Sequence, residues 1–102
     1  MIQHIILWKL KEEYSSEEKE VIRENAKRAL EGLVGKIDGL HRVSVETRRL
    51  PSSSADLMLY TEFSGQEALV AYQKNPLHNA VADEFVRPFV CQRLCLDVPT
   101  EE

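Results

Sequence analysis

Two segments of the chain carry apolar side chains on both faces of a predicted strand. At a period of two, Ile2–Leu10 is largely apolar on one face, and its opposite face still carries Ile5 and Leu7. Asp56–Phe63 shows the same two-sided pattern. A strand with one solvated face alternates apolar and polar residues, so both segments are predicted to be central strands of a sheet that is covered on both sides.

Two further segments are predicted to be strands, but their apolar residues are less evenly spread over both faces. Leu40–Leu50 opposes Val43 and Val45 to mostly polar side chains, and this polarity predicts an edge strand. Phe89–Val98 places its most apolar set on one face and a mixed set on the other, so it is predicted to be the last strand.

A helix is predicted between the first two strands. Ser15 and Glu18 have the spacing of a capping box, in which each side chain binds the backbone N–H of the other residue. The following residues form one apolar stripe at helical spacing, made of Ile22, Ala26, Ala29, Leu30 and Leu33. Gly32 or Gly35 is the expected end of this helix.

A second helix is predicted after the third strand. Ser64 and Glu67 form another capping-box pattern, and Tyr72 lies on the apolar stripe that follows. Pro76 disfavours helical geometry in the preceding residue, so the helix is expected to stop near Lys74 or Asn75. A short third helix, roughly from residue 77 to residue 86, is expected before the last strand.

The element order is therefore β-α-β-β-α-β with one added short helix, which is the ferredoxin-like α+β pattern. Both main helices are expected on one face of an antiparallel sheet. The other face would carry Ile5, Leu7, Met58 and Tyr60, and large exposed apolar patches mark interfaces. We therefore expect a homodimer through the open sheet face, with the two sheets forming a shared α+β barrel.

Composition narrows the classes of protein to consider. The 102 residues suit one domain, 1–102, and the net charge is −4. The basic residues are dispersed, whereas a nucleic-acid binder shows a basic patch, so no nucleic-acid partner is expected. No apolar run approaches the ~20 residues of a membrane span, and the start lacks the features of a signal peptide. A cytoplasmic location is the expectation.

The cysteines suggest no cross-link. Cys91 and Cys95 are four residues apart on a predicted strand, about 13 Å from each other. A disulfide needs Cα atoms within about 7 Å, so these two cannot bridge each other, and they are poorly placed to share a metal. We expect both to be free thiols that behave as small buried hydrophobic residues.

The chain resembles the stress-responsive A/B barrel (Dabb) family over nearly its whole length. Three pieces carry the resemblance, which are MIQHIILWKLKEE, LEGLVGKIDGL and DLMLYTEFSGQEALVAYQKNPLH. The resemblance implies a ferredoxin-like fold that pairs into a dimeric barrel. Most members have no assigned reaction, but some plant relatives are polyketide cyclases that close a linear polyketide by intramolecular aldol condensation.

The resemblance also implies candidate site residues. Tyr72 and His78 match the tyrosine and histidine that act together in the cyclase pocket, and His4 matches a further pocket histidine. Two positions depart from the family pattern. Leu57 stands where the cyclase has another histidine, and Asn75 stands where many members have a histidine before the proline.

We expect Tyr72 and His78 to converge on one pocket between helices and sheet, with His4 at its inner wall and Trp8 and Leu57 as further ligand-binding candidates. A neutral histidine can take a proton alpha to a carbonyl, and a tyrosine hydroxyl can hydrogen-bond the developing enolate. In the alternative interpretation the tyrosine ring packs in the core and its hydroxyl holds His78 in place. On that interpretation His4 is a satisfied core histidine.

No cofactor and no side-chain metal site are predicted, because the histidines lack ligand spacing and no HExxH or CxxC motif occurs. Some plant relatives hold Mg²⁺ through backbone carbonyls in the region matched by Glu31, Val34 and Ile37. Three functions remain open. The first is a barrel that binds a small apolar or aromatic molecule or has a stress role. The second is a cyclase-like or lyase enzyme, and the third is a monooxygenase-like enzyme of the same barrel plan.

Overall fold

A computed structural model describes residues 1–100 and confirms the predicted ferredoxin-like α+β fold. The strands are β1 (Ile2–Leu10), β2 (Leu40–Glu46), β3 (Leu57–Phe63) and β4 (Val90–Pro99). The helices are α1 (Ser16–Glu31), α2 (Gln66–Lys74) and α3 (Pro76–Phe85), and a 3-10 turn at Arg87–Phe89 leads into β4. The strand order is β2-β3-β1-β4, and every neighbouring pair is antiparallel.

The strand register decides which side chains the helices cover. In β1 the covered set is His4, Ile6, Trp8 and Leu10, and in β3 it is Leu57, Leu59, Thr61 and Phe63. All of these side chains are buried, together with the apolar stripe of α1. The core therefore lies in a single layer between the sheet and the helices.

The first helix begins as predicted and the second does not. Ser15 and Glu18 form both hydrogen bonds of a capping box, and Gly32 caps the C-terminus of α1. The predicted box at Ser64 is wrong, because α2 begins later, with Gly65 at the N-cap and no side-chain cap. Ser64 instead donates its backbone N–H to the carbonyl of Gly39, at 2.9 Å, which ties it to the turn before β2.

Gly39 also explains how closely α2 packs on that turn. Its φ of +81° is a conformation that residues with a Cβ rarely adopt. A Cβ at this position would lie 2.5 Å from the Cβ of Ala68 in α2. Glycine is therefore required here for both backbone conformation and space.

Strand β2 is shorter than predicted, ending at Glu46 rather than Leu50. The carboxylate of Glu46 accepts hydrogen bonds from the backbone N–H and the guanidinium of Arg48. The backbone donor that a continued strand would offer to its neighbour is thus used locally, and the chain leaves the sheet. The same exposed contact lowers the pKa of Glu46 to about 2.

The expectation that the cysteines are buried is wrong. Both Cys91 and Cys95 are exposed free thiols on β4. The reason is the position of β4, which pairs with β1 alone among the described strands and so forms an edge of the sheet. Most residues of this strand are exposed on both faces.

Within residues 1–100, no helix covers the second face of the sheet. Its apolar side chains include Leu7, Leu94 and Leu96, which are 38%, 60% and 61% exposed. Leu94 and Leu96 lie opposite Leu7 and Ile5 of β1, so they continue one apolar surface across two strands. Among residues 1–100, no helix is long and apolar enough to cross a membrane.

Candidate functional site

A cavity of about 100 Å³ lies between the sheet and the last two helices. Its sheet wall includes His4 and Trp8, and its helix wall includes Tyr72 and His78. The remaining lining is mostly apolar, with Ile6, Leu30, Leu59, Ala82, Val86 and Val90, and with Gln73, Arg87 and Arg93 as further polar residues. The structure thus brings together the tyrosine and both histidines that the sequence singled out.

The corner between α2 and α3 places Tyr72 against His78. Asn75 caps α3, since its Oδ1 accepts hydrogen bonds from the backbone N–H groups of Leu77 at 2.8 Å and His78 at 3.4 Å. Pro76 occupies the first turn of α3, where its missing N–H has no consequence. The sharp turn brings the rings of Tyr72 and His78 to 3.9 Å between centroids, tilted by 32°.

Two polar atoms of this pair have no partner among residues 1–100. They are the hydroxyl of Tyr72 and Nδ1 of His78, both buried. Tyr72 is only 1% exposed. The hydrogen bond that would let the Tyr72 hydroxyl hold His78 is therefore not formed, because the rings meet face to face rather than hydroxyl to nitrogen.

Both side chains are neutral at pH 7. Burial lowers the pKa of His78 to about 4, with a further contribution from the positive charge of Arg87 and a smaller one from His4, while the backbone of Tyr72 opposes the shift. Burial also raises the pKa of Tyr72 above its usual range. The pair therefore presents a neutral imidazole and a neutral hydroxyl to the cavity.

Hydrogen bonds to two neighbouring strands hold His4 in place. Its Nδ1 is hydrogen-bonded to the carboxylate of Asp97 on β4. Its backbone carbonyl accepts a hydrogen bond from the hydroxyl of Thr61, at 3.0 Å. With Nδ1 engaged, Nε2 is the nitrogen available to the cavity, and a proton on Nδ1 makes Nε2 an acceptor.

The two remaining ligand-binding candidates differ in whether they line the cavity. Trp8 lines the cavity, whereas Leu57 is buried in the core beside it and does not. Sequence reasoning missed Arg87 and Arg93, which both line the cavity. Arg87 also donates to Asp83 and Asn79 of α3, a helical spacing that could have suggested its position.

One group of side chains has the composition of a metal site. His4 Nδ1, Cys95 Sγ and one carboxylate oxygen of Asp97 all lie within 4.8 Å of one another. Burial and the nearby Asp97 carboxylate raise the pKa of Cys95.

The region after α1 that was matched to a Mg²⁺ site of backbone carbonyls is partly engaged within the chain. The carbonyl oxygen of Ile37 accepts a hydrogen bond from the N–H of Leu40.

Comparisons with known proteins place this geometry in context. The family model described as stress responsive A/B barrel domain matches residues 2–100. A dimeric protein of unknown function and ferredoxin-like fold from Bacteroides fragilis is 28% identical, with a TM-score of 0.90 over 97% of this chain and 95% of that one. No curated protein sequence matches this chain.

Two further solved structures are similar. A Dabb family protein with a ferredoxin-like fold from Mesorhizobium loti is 26% identical, with a TM-score of 0.72 over 98% of this chain and 97% of that one. A dimeric ferredoxin-like protein of unknown function from Thermobifida fusca is 21% identical, with a TM-score of 0.80 over 97% of this chain and 90% of that one.

Proposed function

The chain belongs to the stress-responsive A/B barrel (Dabb) family, and we propose that it is a homodimeric barrel that binds a small apolar or aromatic molecule with one polar group. The observation that carries this proposal is the Tyr72 hydroxyl, which is buried without a partner among residues 1–100 at the wall of a cavity. A buried donor left unpaired costs about 1–3 kcal/mol. A ligand oxygen at this point would remove that cost.

The size of the cavity limits the ligand. Pockets for drug-sized molecules measure about 300–1,000 Å³, whereas an apolar cavity of about 150 Å³ holds benzene. At about 100 Å³, this cavity fits a molecule of at most a single ring better than a polyketide chain.

The polar groups of the cavity set the chemistry of the ligand. Tyr72 can donate through its hydroxyl, and His78 is neutral at pH 7 because its pKa is about 4. Arg87 and Arg93 are the charged residues of the lining, and both are positive. The tyrosine donor and the two arginines favour a ligand oxygen, such as that of a carbonyl, hydroxyl or carboxylate group, and they disfavour a cation.

The open sheet face supports the homodimer. Leu94 and Leu96 are more than half exposed there, and contiguous exposed apolar patches mark interfaces. The relative from Bacteroides fragilis is described as dimeric. The proposal extends to a stress-related role, from the description of the family, and to the cytoplasm, where free thiols such as Cys91 and Cys95 stay reduced.

Binding of acetone and of 2-methylpropene, its apolar counterpart of the same shape, followed by the amide NMR signals of the cavity residues, tests the proposal. We expect both probes to shift the signals of Tyr72 and His78. Tyr72→Phe should weaken acetone binding by up to about tenfold, since one hydrogen bond contributes about 0.5–1.5 kcal/mol, and should leave 2-methylpropene binding unchanged. His41→Ala, at an exposed position on β2, is the control. Shifts absent from the cavity residues with both probes would contradict the proposal.

The second candidate is an enzyme in which His78 removes a proton alpha to a carbonyl and Tyr72 stabilises the enolate. The ring contact, 3.9 Å between centroids, favours it, because the two side chains line the same part of one cavity. The pKa of His78 weighs against it. A general base works best with a pKa near the working pH, and a pKa of about 4 describes a weak base.

The same samples separate the two candidates. In D₂O, an enzyme would exchange the alpha protons of acetone for deuterium, and His78→Gln would abolish the exchange. Acetone binding without exchange supports the binding function, and exchange that survives in His78→Gln contradicts the assigned base.

A further inference from the structure

The edge strand β4 brings two metal-ligand side chains beside a buried histidine of β1. Asp97 lies directly opposite His4 in the antiparallel register, and Cys95 lies opposite Ile6. Residues directly opposite share a face of the sheet, so all three candidate ligands project toward the helices. We propose that His4, Cys95 and Asp97 bind one Zn²⁺ ion, through Nδ1, Sγ and a carboxylate oxygen.

The distances between the donor atoms fit a tetrahedral ion. Cys95 Sγ lies 3.7 Å from His4 Nδ1 and 3.5 Å from the Asp97 oxygen. With Zn–S near 2.3 Å and Zn–N or Zn–O near 2.0–2.2 Å, tetrahedral angles separate a sulfur from a nitrogen or oxygen by roughly 3.5 Å. Only the hydrogen-bonded pair of His4 and Asp97 must open, as the ion replaces the proton between them.

Little has to move for that opening. The Asp97 side chain is 41% exposed, so its carboxylate can turn without displacing packed residues. His4 is 1% exposed and stays fixed in the core. The site therefore combines one rigid ligand with two adjustable ones, and solvent at the sheet edge can supply the fourth ligand.

The donor types select the metal. An imidazole nitrogen, a thiolate and a carboxylate together suit Zn²⁺, whereas Mg²⁺ prefers oxygen ligands alone. Arg93 lies on the same face of β4, opposite Trp8, and its charge opposes a cation. The thiolate and the carboxylate bring two negative charges against that one positive charge.

Binding at Nδ1 would change the nitrogen that His4 offers to the cavity. Metal on Nδ1 leaves the imidazole proton on Nε2, so Nε2 turns from an acceptor into a donor. The metal would thus alter the hydrogen-bonding character of the cavity wall without contacting the cavity. This consequence concerns the histidine alone and does not depend on the ligand proposed above.

Cobalt binding to the reduced, chelator-treated protein tests the proposal. Co²⁺ should give the near-ultraviolet charge-transfer absorption of a cobalt–thiolate bond, saturating at one ion per chain, and Zn²⁺ should abolish it while Mg²⁺ should not. Cys95→Ser should lose the absorption. Cys91→Ser is the matched control, since Cys91 is exposed on the same strand but lies outside the cluster, and it should retain the absorption.

Nitrogen-15 NMR of the histidine rings gives a second readout. Zn²⁺ should move the His4 ring from the Nδ1–H to the Nε2–H tautomer in the wild type and in Cys91→Ser, but not in Cys95→Ser. The proposal is overturned if wild-type protein shows no cobalt–thiolate absorption, or if the absorption survives in Cys95→Ser.

Discussion

The covered face and the open face of the sheet differ in what their side chains lack. On the covered face, Leu59 and Thr61 are 1% and 0% exposed, yet the nearby Tyr72 hydroxyl has no hydrogen-bond partner among residues 1–100. On the open face, Leu94 and Leu96 are 60% and 61% exposed, so most of their apolar surface is uncovered. The covered face therefore lacks a polar ligand atom, and the open face lacks an apolar surface to pack against.

This difference separates two roles within one small sheet. An apolar side chain gains stability from any dry neighbour, so the open face suits a protein partner of matching shape. A buried hydroxyl gains from one atom in one direction, so the covered face suits a small molecule. The predictions change either the apolar side chains of the open face or the polar side chains of the covered face, and each measures the effect on assembly or stability.

The largest effect is expected when charge is placed on the open face. Leu94→Glu combined with Leu96→Glu should convert the proposed dimer to a monomer in sedimentation equilibrium at micromolar concentration. Full burial of an exposed leucine contributes about 1.5–3 kcal/mol, so covering the exposed part of four leucines across a dimer contributes roughly 4–7 kcal/mol. That amount corresponds to about a thousandfold or larger change in dissociation constant.

The control carries the same charges on other exposed apolar positions. Val21 and Val70, on α1 and α2, are 59% and 48% exposed and lie away from the open face. Val21→Glu with Val70→Glu should remain dimeric. A wild-type monomer at micromolar concentration, or a dimer in the Leu94 and Leu96 variant, would contradict the assigned interface.

A smaller effect of opposite sign is expected on the covered face. Tyr72→Phe removes the unpartnered hydroxyl and keeps the ring against His78. The free energy of unfolding without ligand should rise by about 1–3 kcal/mol, since the buried donor no longer lacks a partner. Urea unfolding at fixed protein concentration measures this change.

Tyr60→Phe is the matched control on the open face. The Tyr60 hydroxyl already donates to Glu62, so its removal should not stabilise the protein. A loss of stability in Tyr72→Phe would show that the Tyr72 hydroxyl has a partner after all, and the argument for a ligand oxygen would fail.

The features that the sequence predicted are those that depend on local spacing. The bounds of β1 agree with the prediction, and the Ser15 capping box forms, because both depend on residues a few positions apart. Tyr72 and His78 meet for the same reason, since one Asn75–Pro76 corner joins their helices. The same spacing rule failed at Ser64, where Gly39, distant in sequence, engages the residue.

The features that could not be predicted from the sequence depend on strand register. His4 and Asp97 are 93 residues apart and meet only because β4 pairs with β1 in one particular alignment. Nothing in the spacing of the histidines or cysteines indicates that contact. The exposure of Cys91 and Cys95 likewise follows from the position of β4 at the edge of the sheet, which alternation along one strand does not reveal.

The smallest effect concerns pH and tests whether the covered face is as dry as the geometry indicates. Burial and the charge of Arg87 lower the pKa of His78 from 6.5 to about 4. A histidine with a depressed folded-state pKa adds its full stability above the unfolded-state pKa. The unfolded chain takes up a proton first as pH falls, so stability should decline between pH 6.5 and pH 4.

His78→Gln should flatten this decline relative to wild type, as measured by urea unfolding at pH 7, 5.5 and 4.5. Because His78 is only partly buried, solvent screening reduces the effect to the order of 1 kcal/mol. His41→Gln, at an exposed position on β2, is the control and should show the same decline as wild type. An equal decline in wild type and His78→Gln would mean that water reaches the ring, and the cavity would then offer a ligand a solvated histidine instead of a dry one.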